Sequence, residues 1–298
     1  MTVPRVLILG GTGMLGHKLA QVLGGPLDAH VTVRASADRA ARMELFDPAR
    51  TVTGVCAERF DTVEGAVVGV RPDVVVNCIG IVKQLQAAHN PIASVSINSL
   101  FAHQVARLCR REGARMIHVS TDCVFSGRTG GYSERDIPDP VDLYGRSKLL
   151  GEVDDDDCLT VRTSIIGREL SGASGLVEWF LAQQQRVLGF RRAIFSGLTT
   201  DALARLLAAV ISEHRQLHGI RHVASAPISK HDLLCMLRDA YHSNLEIVPD
   251  DDVVCDRSLD GSWFEQETGL RAPPWTEMVA QLAADTTPYE RLRSSSAC

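Results

Sequence analysis

Tyr144-Gly-Arg-Ser-Lys148 places a phenol and an ammonium four residues apart. On a helix that spacing puts both groups on one face. A neighbouring ammonium favours the phenolate, so the pair predicts a tyrosine able to exchange a proton near neutral pH. Upstream, Val119-Ser-Thr-Asp-Cys-Val-Phe125 reads as a strand running into a polar turn. Its Thr121 could hold a substrate carbonyl together with Tyr144. Either hydroxyl alone would read as a turn cap; a third motif makes the set specific. Leu9-Gly-Gly-Thr-Gly-Met-Leu-Gly16 carries glycines at 10, 13 and 16, directly after an apolar run and opening a helix. The first makes the tight turn, the second lets backbone approach a pyrophosphate, and the third lets helix pack on strand. The helix N-terminus adds free N–H groups and a positive dipole end. The loop therefore predicts a bound dinucleotide.

The elements that must position these groups are legible from periodicity. Val6–Leu9 is a continuous apolar run, as in a strand covered on both faces. A helix near Met14–Leu23 follows, then strands at His30–Val33, Asp73–Asn77, Arg115–Val119 and Leu159–Arg162. Asn98–Glu112 reads as a helix with its apolar face at Leu100, Val105 and Leu108. Repeated β-α-β units with short connections predict a Rossmann-type α/β fold, a doubly wound parallel sheet. In such a sheet the strand ending at Val119 opens toward the cofactor crevice. The second strand ends at Val33-Arg34, where a basic residue suits a ribose 2′-phosphate. NADP(H) is therefore expected, with NAD(H) use left open and a surface arginine as the plain alternative.

The pattern weakens after about Leu170. Helical stretches at Gly175–Gln185, Asp201–Ser212 and Lys230–Tyr241 alternate with loops rich in Gly, Pro and Asp. The expected division is a dinucleotide-binding domain over 1–165, to which parts of 190–225 return, and a smaller C-terminal α/β substrate-binding lobe over 166–298. The tail from 292 to 298 is expected to be frayed. Asp154–Asp157 and Asp250–Asp252 read as solvated turns, since adjacent acids repel rather than converge on a metal. No metal site is expected, and the ten histidines read as structural or surface residues.

Composition narrows the function classes. The 298 residues are 45% hydrophobic and 22% charged, enough apolar material for a large core and too much for a disordered chain. A formal charge of −5 argues against nucleic acid as the main partner. No apolar run approaches the roughly 20 residues of a membrane helix. Eight scattered cysteines without a CxxC pair, and an N-terminus that runs straight into a strand, predict reduced thiols in the cytoplasm.

Taken together, these residues resemble the extended short-chain dehydrogenase/reductases, specifically the dTDP-4-dehydrorhamnose reductase group. The likeness runs through Gly10–Gly16, Asn77-Cys-Ile-Gly80, Asn98, Ser120–Phe125, Tyr132-Ser-Glu-Arg-Asp136, Tyr144–Glu152 and Val161-Arg-Thr163, and more loosely Asp256–Asp260. It implies Thr121, Tyr144 and Lys148 as the catalytic triad. It implies a cofactor site of Gly10, Thr12, Gly13, Met14, Leu15, Gly16, Arg34, Cys78, Ile79, Gly80, Asn98, Ser120, Tyr144 and Lys148. A sugar-nucleotide site between sheet and lobe would use Lys83, Asp122, Cys123, Val124, Arg162 and Thr163. Arg257 is the expected diphosphate ligand, with an ion pair to Asp256 or Asp260 as the alternative. Trp179, Trp263 and Trp275 are expected in the core, with stacking on a base as the alternative. Cys123 stands where these reductases usually carry tyrosine and related 4,6-dehydratases a glutamate, which argues against dehydration.

The implied reaction is reduction of the C4 keto group of a nucleotide-linked 4-keto-6-deoxyhexose, in deoxysugar or polysaccharide biosynthesis. Lys148 would hold the nicotinamide ribose and lower the Tyr144 pKa, Tyr144 would supply the proton, and Thr121 would bond the oxygen. The rivals are an NAD-retaining sugar-nucleotide epimerase and a non-catalytic NADP(H)-binding regulator. The helix at 98–112 could pair across a two-fold axis in a homodimer or equally cover the sheet.

Overall fold

A computed structural model describes residues 3–296. Its first six strands are β1 (Arg5–Leu9), β2 (Asp28–Val33), β3 (Thr51–Thr53), β4 (Val74–Asn77), β5 (Arg115–Val119) and β6 (Cys158–Arg162). The C-terminal part adds the short strands β7 (Ile165–Ile166), β8 (Arg186–Phe190), β9 (Ala193–Phe195) and β10 (Leu198–Thr199). Four more follow: β11 (Gly219–His222), β12 (Ile228–Ser229), β13 (Glu246–Asp250) and β14 (Cys255–Asp256). One seven-stranded sheet runs in the order β11-β6-β5-β4-β1-β2-β3, parallel throughout. The order reverses between β1 and β4, where Leu9 pairs with Asn77. Ligands of doubly wound sheets bind at the carboxyl ends of strands beside such a reversal.

Helices cover both faces. They are α1 (Met14–Leu23), α2 (Ala37–Met43), α3 (Phe60–Val70), α4 (Pro91–Ser94), α5 (Phe101–Glu112) and α6 (Leu143–Leu150). The rest are α7 (Leu176–Leu181), α8 (Thr200–Glu213), α9 (Lys230–Ala240), α10 (Ser262–Thr268), α11 (Trp275–Ala283) and α12 (Tyr289–Ser296). Side chains alternate across a strand, so Val6 and Ile8 of β1 meet Leu15 and Leu19 of α1 and Leu203 and Leu207 of α8. Leu7 and Leu9 enter a second core with Val63 and Val67 of α3 and Phe101 and Val105 of α5. Burying each such side chain stabilises the fold by about 1.5–3 kcal/mol. In the C-terminal part β8 pairs with β13, and β9 lies between β12 and β14.

Two expectations about elements are corrected. Leu100 is 54% exposed rather than core. A π-helical turn over Val95–Leu100 widens the helix just before α5 and shifts its phase, so Phe101, Ala102, Val105, Leu108 and Cys109 form the buried stripe instead. The segment expected to fray from 292 onward carries α12, whose Leu292 is 2% exposed. Ala297 and Cys298 lie outside the described residues. The acidic turns are solvated and paired: Arg110 bridges Asp155 and Asp157, and Arg191 pairs with Asp251. Trp275 is buried, but Trp179 and Trp263 are each 39% exposed, the latter beneath the Arg221 guanidinium.

Candidate active site

The glycine loop is shaped by close approaches. Gly10 has φ +86°, a conformation glycine tolerates and other residues rarely adopt. A Cβ on Gly16 would sit 2.1 Å from the Gly10 carbonyl oxygen, so any side chain there would push α1 off the loop. Gly11 is equally constrained, by Val31 of β2 at 2.0 Å. Gly13 caps α1 with no side chain bonded to the first turn, which leaves the helix's leading N–H groups for a ligand. The loop thus fits the diphosphate of a dinucleotide. Thr12 and Met14 are half-exposed at its mouth, while the Leu15 side chain faces the core and only its backbone can serve a ligand. Arg34 stands exposed just beyond β2, near Glu58.

The residues expected to be catalytic converge from the turn after β5 and from α6. Asp142 accepts a hydrogen bond from the Gly145 amide at 2.8 Å and so starts α6 at Leu143. Tyr144 and Lys148 then share one face of α6. Gly145 explains how α6 lies against the turn after β5: a Cβ there would meet the Cys123 carbonyl at 2.2 Å. Across this contact the Thr121 hydroxyl faces the Tyr144 phenol and favours its charged form. Thr121 also donates to Asp122 Oδ1 at 3.2 Å and accepts from the Cys123 amide at 3.2 Å. The Lys148 ammonium donates to the Val119 carbonyl at 2.7 Å. A Cβ on Gly80 would lie 4.0 Å from that ammonium, so the bare backbone of Gly80 leaves room beside it. Cys78 and Ile79 lead from β4 into the same space, and the Cys78 amide donates to the Leu9 carbonyl at 3.1 Å.

The electrostatics depart from the expected pattern. Burial pushes the Tyr144 phenol up rather than down, with the nearby Cys123, Asp122 and Asp142 adding to the effect and Thr121 opposing it. Burial also lowers the Lys148 ammonium to about 8, against the pull of Glu152 and Cys78. Tyr144 is therefore a neutral proton donor, and Lys148 carries its charge below about pH 8. Asp122 is buried with its pKa raised by desolvation, and burial pushes Cys123 up to about 12. Cys123 is consequently a neutral thiol, matching its reading as a small apolar side chain.

Several residues expected to touch ligands are bonded to other parts of the chain. Asn98 spends its amide on the Ile81 backbone at 2.8 and 3.0 Å and on Ser147 at 3.0 Å, holding the Gly80–Ile81 stretch. Ser120 donates to Glu152 at 2.6 Å. Arg162 is buried, bonded twice to Glu152 and once to His222, and stacked over Phe125, so most of its guanidinium is engaged within the protein. Val124 is packed with Phe125, Tyr132 and Leu259. Thr163 is 2% exposed and accepts from the Asp122 amide through its carbonyl. Lys83 pairs with Asp142 at 2.7 Å, beside the start of α6. Arg257 makes neither expected ion pair. Its guanidinium donates to the carbonyls of Phe125 at 2.9 Å and Ser126 at 3.4 Å. The 125–136 loop is pinned to 255–260 from both sides. The Tyr132 hydroxyl gathers the amides of Gly127, Arg128 and Thr129, and the Tyr132 amide bonds the Ser258 carbonyl at 2.9 Å.

Two contributors were missed. Glu152 follows Lys148 by four residues, a spacing that could have flagged it. Lys230 opens α9, with its ammonium 3.5 Å from the Phe195 ring centre and electrostatically coupled to Asp122. Nothing local in the sequence places Lys230 beside the catalytic turn; only the fold does.

Comparison with known proteins gives the family. The profile of the RmlD substrate binding domain family matches residues 4–287. The dTDP-4-dehydrorhamnose reductase of Mycobacterium tuberculosis is 34% identical over 134 residues, 43% of this chain and 42% of that protein. The chain thus aligns with less than half of that relative's length. The spore coat polysaccharide biosynthesis protein SpsK of Bacillus subtilis is 30% identical over 234 residues, covering 75% of this chain and 74% of that one. The fold matches the crystal structure of dTDP-4-dehydrorhamnose reductase from Bacillus anthracis in complex with NADP. There the TM-score is 0.78 at 21% identity, over 96% of this chain and 100% of that one. With a family profile spanning nearly the whole chain and a relative aligned over three quarters of it, the protein belongs to the RmlD substrate binding domain family.

Proposed function

We propose that this protein is an NADPH-dependent reductase acting on the C4 keto group of a nucleotide-linked 4-keto-6-deoxyhexose. The observation that carries the proposal is the convergence of Thr121, Tyr144 and Lys148 beside the glycine cradle at the strand-order reversal. Relatives named as dTDP-4-dehydrorhamnose reductases support the substrate class.

A reduced nicotinamide, when bound, supplies the hydride that reaches C4. Gly10, Gly13 and Gly16 would hold the diphosphate of the dinucleotide, Arg34 its 2′-phosphate and Lys148 its ribose. Tyr144 gives its phenolic proton to the carbonyl oxygen as C4 accepts the hydride, leaving a C4 hydroxyl. Its raised pKa keeps that proton in place until negative charge develops on the substrate. Thr121 donates a second hydrogen bond to the same oxygen. Cys123 and Asp122 line the turn against the sugar. The lobe within 166–298 closes over the nucleotide, with Lys230 facing the turn and Arg257 fastening the 125–126 backbone. Cys123, held as a neutral thiol, does not supply the base that a glutamate gives the related 4,6-dehydratases at this position.

No helix among the described residues is long and apolar enough to cross a membrane. Cytoplasmic location and a homodimer complete the proposal. The exposed apolar residues Ile92, Val95, Leu100 and Leu150, on α4, the π-helical turn and α6, offer the second copy a surface.

The test follows NADPH absorbance with dTDP-4-keto-6-deoxy sugar, with NADH and Tyr144→Phe alongside. Sugar-dependent consumption that falls roughly 10²–10⁴-fold in the variant, with cofactor binding retained, is expected. Tight NADP(H) binding without consumption would favour a regulatory binder. Cofactor that stays bound as NAD through purification would favour an epimerase.

A further inference from the structure

The stretch 285–289, near the other end of the chain, closes onto α1. Three positions of α1 receive it. Lys18 Nζ lies 2.6 Å from Asp285 Oδ2, Gln21 donates to Thr287 Oγ1 at 3.1 Å, and His17 Nε2 lies 3.0 Å from the Tyr289 hydroxyl. Tyr289 is fully buried, donates to Asp285 Oδ2 at 2.7 Å and carries the Arg168 guanidinium 4.6 Å from its ring centre. The other nitrogen of His17, Nδ1, lies 2.8 Å from the carbonyl oxygen of Gly13, in the glycine loop.

Bonding chemistry fixes the roles. A carbonyl can only accept, so Nδ1 carries the imidazole proton and Nε2 is an acceptor; the single Tyr289 hydroxyl proton lies between Asp285 Oδ2 at 2.7 Å and Nε2 at 3.0 Å and is shared by them. Burial keeps this ring neutral. The Gly13 carbonyl also accepts the His17 amide at 3.2 Å, the first bond of α1. In a planar trans peptide the Gly13 carbonyl and the Met14 N–H point in opposite directions. Holding that carbonyl along the helix therefore holds the Met14 N–H pointing out of the helix N-terminus, toward the side where a diphosphate binds.

We infer that His17 and Tyr289 are positioning residues for the dinucleotide: the C-terminal segment grips the Gly13 carbonyl through His17 and aims the N-terminus of α1 at the diphosphate. This rests on the dinucleotide reading of the Gly10–Gly16 loop. Neither residue touches the ligand, and both act through one peptide plane. The Asp285–Lys18 and Thr287–Gln21 bonds hold Tyr289 in place for that task.

The experiment measures the NADPH dissociation constant of the full chain by fluorescence titration, with melting temperature recorded on the same samples. Tyr289→Phe keeps the ring under Arg168 and removes only the hydroxyl. His17→Leu fills similar space without a donor. Leu237→Ala, in the core of α9, lowers stability without touching the network. The expected result is NADPH binding weakened roughly three- to tenfold in both network variants, the value of one or two hydrogen bonds. Leu237→Ala should bind as the parent does, and amide exchange at 10–16 should rise only in the network variants. Unchanged affinity in both network variants would overturn the inference, as would equal weakening in Leu237→Ala. A parent protein that fails to bind NADPH would instead overturn the dinucleotide reading, and this inference with it.

Discussion

The Arg162 guanidinium donates to both oxygens of the Glu152 carboxylate, at 2.9 and 2.7 Å, with each side chain only 4% exposed. The pair joins the end of β6 to the chain leaving α6, and Ser120 of the catalytic turn shares the same carboxylate. Removing one partner strands a buried charge. Glu152→Ala should cost about 3–5 kcal/mol, whereas the double change Glu152→Leu with Arg162→Met should cost much less. Urea unfolding of the four forms measures this directly.

Gly16→Ala would place a methyl 2.1 Å from the Gly10 carbonyl oxygen, so α1 and the loop must separate. Loss of measurable NADPH binding is expected, with a lowered melting temperature. Gly25→Ala is the matched control, because nothing lies within 4 Å of a Cβ there. Isothermal titration of both variants distinguishes a specific clash from a general dislike of alanine.

The pH profile should follow Lys148. Its pKa is lowered to about 8, so the ammonium proposed to hold the ribose is lost as pH rises through that value. Tyr144, pushed up by burial, keeps its proton throughout. Reductive kcat/KM should therefore fall above about pH 8, and Lys148→Arg, whose charge persists, should flatten the alkaline limb.

Acid should destabilise the protein before its carboxylates titrate. Burial holds His17 and His222 at about 4, against 6.5 for an ordinary histidine. Between those values the unfolded chain binds protons that the folded chain refuses, so stability is lost as pH falls from 6.5 toward 4. A shift of this size corresponds to about 3 kcal/mol per histidine across the window. Melting temperatures from pH 7 to 4 should show the drop, and His17→Leu should make it shallower. Asp285, lowered to about 2, contributes its loss only at still lower pH.

Arg34 should set the choice of cofactor. It is exposed beyond β2, where a charge-assisted bond to a 2′-phosphate costs little desolvation. Arg34→Ala should raise the KM for NADPH roughly tenfold and leave that for NADH unchanged. Steady-state kinetics with both cofactors decide it.

Local pattern alone determined much of this protein. Continuous apolar runs, glycines at 10, 13 and 16, and the four-residue gap from Tyr144 to Lys148 are short-range signals, and each states its own local geometry. They specified the parallel sheet, the turn at β1, and the face that α6 presents to the catalytic turn. Contacts over long sequence separations were beyond their reach. That Arg162 is engaged by Glu152, that Arg257 fastens the 125–126 backbone, and that the Lys230 charge acts on Asp122 all depend on which strands pair and which segments return. The phase of α5 was hidden too, because a π-helical turn adds a fraction of a turn that no residue type announces. The Tyr144 pKa was misread for the same reason. Residue spacing identifies the neighbouring charge, but desolvation depends on everything packed around the phenol, and only the tertiary structure decides that.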